Sequence, residues 1–219
     1  MTISTILTSI VSLPKTIYFN LRCLPLKQAM KLPVFIKYDV KLGELHPGMI
    51  KFNTPISRFM IKFGVGGVKG LSTGKSQIWL QKGTVTFNGK ANFAEGCSIR
   101  NNGNLVIGDN FGAGKNCFIS CSDEIIFGNN ILFAWNGTIR DSDGHTIIMD
   151  GVEKPSHKPV HIGNHVWIAS EVKILKGVII PDGCVVALGS IVTKAFTEEQ
   201  ILIGGYPAIK LKDNVSWKS

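Results

Sequence analysis

No CxxC pair occurs in this chain, and its five cysteines, Cys23, Cys97, Cys117, Cys121 and Cys184, are odd in number and scattered. That pattern argues against a disulfide framework or a zinc site and for reduced thiols in a cytosolic protein. Zinc-finger spacing, an aromatic-basic RNA motif and a basic recognition helix are also missing, so no nucleic-acid partner is expected. The first thirteen residues carry no charge. They lack a basic stretch ahead of them and are too short to span a bilayer, so neither secretion nor a transmembrane helix is expected. Acidic residues are scarce at one end. Residues 1–75 hold eleven Lys or Arg against Asp39 and Glu44, which accounts for the whole net charge of +9, while residues 76–219 balance thirteen against thirteen. The partners that suit such a front segment are anionic lipid headgroups, an acidic glycan or a diphosphate-linked lipid carrier; a solvated basic face with no partner is the alternative.

With 219 residues, 44% of them hydrophobic, the chain can bury one sizeable core. Residues 1–31 read as a basic and apolar lead, helical or irregular, with Ile3, Ile6, Leu7 and Ile10 at helical spacing before Pro14. Peripheral membrane contact through residues 1–75 follows as an expectation, placing the protein in the cytoplasm or at the inner membrane face. From residue 32 the pattern changes to short alternating strands.

A strict repeat then dominates. Ile162, Ile168, Ile174, Ile180, Val186 and Val192 recur at every sixth position, with Val166, Val172, Val178, Cys184 and Ser190 four places along. Neither an α-helix nor a single strand has that period, whereas a parallel β-helix does: one aliphatic per hexad points inward and successive coils stack them into ladders. A looser form precedes it in Phe87, Phe93 and Ile99; Ile107, Ala113 and Ile119; Phe127, Phe133 and Ile139. Steps of six within these trios and eight between them give coils of twenty residues, and the extra pair fits a bulged corner. Counting on from Ile139 puts His145 in the inward register, after which the pattern breaks until Ile162. An outward loop is expected over 146–161, with the β-helix spanning 32–213 and a tail at 214–219.

His145 closes the sequence Asp141-Ser142-Asp143-Gly144-His145. An imidazole beside carboxylates, at the foot of a loop, suits a general base whose tautomer a neighbouring acceptor holds; a histidine satisfied by backbone at a corner is the other reading. His145, His157, His161 and His165 fall within 21 residues and also raise a zinc-site reading, although His161 and His165, four apart, point in different directions on a six-residue coil.

The stretch IGNHVWIASEVKILKGVIIPDGCVVALGSIVTKAF, followed by ILIGGYPAIKLK, resembles the acetyl-CoA-binding end of the maltose, galactoside and polysaccharide O-acetyltransferase group of hexapeptide-repeat transferases. The resemblance covers about residues 78–213, with a weaker echo from 32. It implies an all-β, left-handed parallel β-helix with a short N-terminal helical segment and an outward loop, and a homotrimer with His and coenzyme on adjacent subunits. It also matches His145 to the family's base, with Asp143 or Asp141 orienting it. Carried over residue by residue, backbone amides near Ala169 (Gly in the family) and Ala187 take the pantetheine arm. Thr193, Lys194 and Lys210 meet the adenosine phosphates, Lys210 standing one place beyond the family's lysine. Trp167 lines the acetyl or acceptor pocket, or is a packed corner residue.

The implied activity is acetyl-CoA-dependent O-acetylation of a sugar hydroxyl in capsular, exopolysaccharide or lipopolysaccharide synthesis, the acceptor being a sugar or glycan. The alternatives are a nucleotide-amino-sugar N-acyltransferase, an antibiotic acetyltransferase, a zinc-dependent trimeric β-helix carbonic anhydrase and a non-enzymatic scaffold.

Overall fold

The computed structural model describes residues 3–218, with side chains from Ile6 onward; Met1, Thr2, Ser219 and the side chain of Ile3 in the expected stripe lie outside the described residues. After a helix, α1 (Ile3–Cys23), the chain winds through three parallel sheets in turn. The first face runs from Val34–Ile36 to Leu202–Gly205, the second from Lys41–Leu42 to Ile191–Val192, and the third from Ile50–Phe52 to Ile179–Ile180. A hairpin, Ile147–Met149 against Val152–Lys154, stands off the stack, and Ala208–Lys212 folds back antiparallel on Leu202–Gly205 to finish it. The architecture is the left-handed parallel β-helix with a short N-terminal helix.

Coil-to-coil pairing follows the six-residue register. Ile162 stacks on Phe127 and beneath Ile180, Ile168 on Phe133 and beneath Val186, and Ile174 on Ile139 and beneath Val192. The earlier trios stack in the same way, Phe87 on Ile107 and Ile99 on Ile119. All are buried, as are Val166, Val172, Val178, Cys184 and Ser190. Asn110, Asn130 and His165 at one corner and Asn116, Asn136 and Glu171 at another adopt positive φ, the left-handed turn that swings the chain onto the next face. Close backbone approach explains one glycine ladder: a Cβ on Gly108 would lie 2.1 Å from the Gly128 carbonyl oxygen, and one on Gly128 would lie 2.6 Å from Gly163.

The twenty-residue coils differ from the expected bulge. Their extra pair lengthens the strands, as in Ser98–Asn101 and Phe118–Cys121, and opens one more inward slot, filled by Asn101 and then by Cys121 directly above it. Asn101 earns its buried place by capping the corner: its amide donates to the Thr84 carbonyl and its oxygen accepts from the Gly103 N–H.

The first coil would leave a strand edge open to solvent or to another chain. Helix α1 closes it with a polar face. Asn20, four residues beyond Thr16, accepts from the Val34 N–H at 3.2 Å and donates to the Val34 carbonyl at 2.7 Å. Thr16 does the same for Ile36, and Ser12 accepts from the Tyr38 N–H. Spacing of four puts the three side chains on one helical face, and all are fully buried. The helix runs through Pro14 and stops at Cys23, two residues before Pro25.

Asn20→Ala strands a buried N–H and C=O of Val34 and should cost about 2–4 kcal/mol in urea denaturation, at roughly 1–3 kcal/mol for each unpaired group. Asn53→Ala, which removes an exposed contact to Asn88, should stay within about 0.5 kcal/mol of the parent.

Candidate active site

The chain leaves the stack earlier than the six-residue count implies. Thr138–Arg140 still pairs with Phe118–Ser120. Asp141, the next inward residue, occupies the slot that Cys121 fills one coil below. From Ser142 the chain runs outside, and it returns at Val160, which pairs with Ile125. His145 therefore does not stand in the inward register: it is exposed on the ascending limb of the excursion. The twenty-residue coil is the reason, because its added slot moves the next core position off the count of six.

Asp141 is fully buried, and its carboxylate accepts from the Ser122 N–H at 2.7 Å and the Asp123 N–H at 2.7 Å. It is the counterpart of Asn101, a corner cap, and its oxygens face away from solvent chemistry. Asp143 is pinned differently. Its Oδ2 lies 2.5 Å from Lys176 Nζ, which also donates to the Pro155 carbonyl, while the Asp143 N–H donates to Ser156. Lys176 thus clamps both limbs of the excursion, and Arg140, whose Nε donates to the Ser142 carbonyl, supports the Gly144 turn from below. Neither was singled out by sequence. Arg140 is the outward residue directly before Asp141, whereas Lys176 lies a full coil of three faces further on and only the fold connects it to the loop.

The remaining histidines each have a partner. His161 Nε2 lies 3.0 Å from Glu124 Oε1 and helps hold that carboxyl below its usual range. His165 stacks on Trp217 with ring centroids 4.5 Å apart, and His157 meets Ser156. His161 and His165 point in different directions, as their spacing implies. His165 is a corner residue, whereas His161 lies mid-strand. Among the described residues no group of three His, Cys, Asp or Glu side chains is placed to hold a metal.

At the expected coenzyme end, the Ala169 and Ala187 amides donate to the Val186 and Ile203 carbonyls, each engaged by the next coil, so they are not free donors for a pantetheine arm. What those small side chains offer is a shallow corner. Trp167 projects from the first face, half-exposed, its ring 6.3 Å from that of Trp217, so the 213–218 tail folds back across it. Thr193 and Lys194 are exposed where the second face ends, and Ala208–Lys212 runs alongside that strand. Lys210 carries Glu198 at 2.5 Å and Asp213 at 2.6 Å, hydrogen bonds that raise its pKa. A phosphate would have to displace those carboxylates, whereas Lys194 has no ion pair among the described residues and lies over the Phe196 ring, 5.7 Å from its centroid. His145 leaves from the corner between the second and third faces. Ala169 and Ala187 line the corner between the first and second, so one chain does not bring the two groups together.

Galactoside O-acetyltransferase of Escherichia coli (strain K12) is 38% identical over 104 residues, covering 46% of this chain and 50% of that protein. The Lactococcus lactis enzyme of the same name is 30% identical over 115 residues, covering 52% and 55%. Over that stretch the chain is similar in sequence to these acetyltransferases. It spans about half the length of these relatives, and no family model matches it. In fold it is similar to the polysialic acid O-acetyltransferase OatWY, with a TM-score of 0.52 and 24% identity over 82% of this chain and 87% of that one. The polySia-specific acetyltransferase NeuO gives 0.50 and 21%, over 85% and 79%.

Asp141 and His145 should separate cleanly in thermal and urea unfolding. Asp141→Ala leaves the Ser122 and Asp123 amides without their charged acceptor and empties a fully buried slot, and should cost about 3 kcal/mol or more. His145→Ala, at an exposed position, should stay within about 0.5 kcal/mol.

Proposed function

We propose that the chain is an acetyl-CoA-dependent O-acetyltransferase acting on a sugar hydroxyl of a capsular, exopolysaccharide or lipopolysaccharide glycan, with His145 as general base. One observation carries the base assignment. Among the described residues His145 alone of the five histidines has no hydrogen bond, ion pair or ring contact, since His46 has Glu44 and the others are engaged as above. An unengaged imidazole on a clamped limb is available to a substrate. It takes the hydroxyl proton as the oxygen attacks the thioester carbonyl; the C–S bond breaks, and the imidazolium returns the proton to the departing thiolate. Asp143 and Lys176 position the limb, and Asp141 holds the corner beneath it.

Acetyl-CoA as co-substrate rests on the sequence relatives and on the exposed Thr193 and Lys194 at the expected phosphate end, with Trp167 and the small corner residues Ala169 and Ala187 across the second face from them. The distance between His145's corner and that corner within one chain favours a homotrimer, in which the neighbour's coenzyme side faces His145.

The test is release of the CoA thiol with a panel of glycan acceptors. His145→Ala should lower kcat by roughly 10²- to 10⁴-fold, and wild-type activity should fall in acid as imidazole, a base only when neutral, protonates. Lys194→Ala should raise the KM for acetyl-CoA with a smaller effect on kcat. Hydroxylamine distinguishes an ester product, which it cleaves, from the amide of an N-acyltransferase. Near-parental turnover by His145→Ala overturns the assignment, and so does activity that chelators abolish and zinc restores.

A further inference from the structure

Helix α1 is inverted. Its polar residues Ser12, Thr16 and Asn20 are buried against the first coil, and apart from the buried Phe19 and Cys23 its large apolar residues face outward: Ile6, Leu7, Ile10, Val11, Ile17 and Leu21 are each 42–57% exposed. With the exposed Pro14 and Tyr18 between Val11 and Leu21, steps of three and four draw one stripe along the helix. The stripe continues past the helix into Leu26 and Met30, at 67% and 72% exposed. A helix of a water-surrounded domain has the opposite arrangement, and a contiguous exposed apolar surface of this kind marks an interaction site.

Charge selects the occupant. No acidic residue precedes Asp39, whereas Arg22, Lys27 and Lys31 are exposed around the C-terminal end of the stripe. Beside the helix opens a cleft of about 950 Å³ that Val11 and Tyr18 share with Lys15, Lys41, Lys75 and Trp79; its one acid, Asp39, lies 3.2 Å from Lys37. Apolar residues flanked by lysines and arginines, with aromatic rings at the margin, match the boundary between acyl chains and anionic headgroups. No described helix is long and apolar enough to cross a membrane, and the buried Ser12, Thr16 and Asn20 show why: one side of α1 is committed to strand edges. We propose that α1 docks the protein flat onto an anionic membrane, its apolar stripe in the headgroup–acyl boundary and the basic cleft against the lipid headgroups. The proposal stands on the helix alone and does not depend on the catalytic reading.

Flotation of the full chain with vesicles of equal parts phosphatidylglycerol and phosphatidylcholine tests it. The wild type should float with these vesicles, much less with phosphatidylcholine alone, and less as salt is raised. The double substitution Ile10→Glu with Ile17→Glu should lower the partition coefficient by roughly tenfold or more, with unfolding transitions like the parent's because both sites are exposed. Arg22→Glu with Lys27→Glu should weaken binding to the anionic vesicles and leave the residual binding to phosphatidylcholine unchanged. Equal flotation by Ile10→Glu/Ile17→Glu and parent overturns the proposal, as does a wild type that does not float. Sedimentation velocity without lipid covers the other occupant: self-association of the wild type, lost in the Glu variant and accompanied by no vesicle binding, assigns the stripe to a second copy.

Discussion

Each coil of this protein sits on the inward residues of the coil before it, and nearly every other feature depends on that stacking. Side chains alternate between the two faces of a strand, so a slip of one residue would turn a ladder of aliphatics out to water and polar residues into the core. The twenty-residue coils have wider faces, and phenylalanine fills them: Phe63, Phe93, Phe111 and Phe127 pass ring to ring at 5.0, 5.3 and 4.9 Å. Where the coils shorten to eighteen residues, Ile and Val replace them. The core tapers with the coil, and side-chain volume tracks the space available.

The ladder was legible from sequence because its period belongs to no other structure. The point of departure of the loop was not, because it depends on an inward slot that counting by six omits; the count put His145 in the inward register, and Asp141 fills the added slot instead. The inversion of α1 was hidden for a related reason. Amphipathic reasoning assumes that a helix packs against an apolar core, and here Ser12, Thr16 and Asn20 meet a strand edge whose N–H and C=O groups need polar partners. The resemblance implied pantetheine contacts from backbone amides near Ala169 and Ala187, and the amides of these two residues are engaged. Each is taken by the coil above, and for Ala187 that coil is the segment Leu202–Gly205, which lies outside the hexad pattern.

On the first face α1 covers the lower edge strand, and Ala208–Lys212 folds back as the outermost strand at the other end. The three flat sides of the stack offer the broad surfaces for self-association. Side-by-side association is also what would bring His145, on one edge of the prism, to the corner of Ala169 and Ala187 on a neighbour.

The two proposals constrain one another through direction. Helix α1 covers the end of the stack, so its apolar stripe faces along the coil axis, and the His145 limb lies four coils further along that axis, roughly 20 Å at about 4.8 Å per coil. In a cyclic assembly whose symmetry axis runs parallel to the coils, every copy presents α1 at the same end. Several weak interfacial helices then act on one surface, and the second and third bind at the high local concentration set by the first, so modest affinity per helix sums to firm attachment. Such an assembly holds its His145 limbs at a common height above the bilayer. An acceptor reaching them from a lipid anchor would need a span of several sugar units, whereas a short lipid-linked saccharide would remain below them.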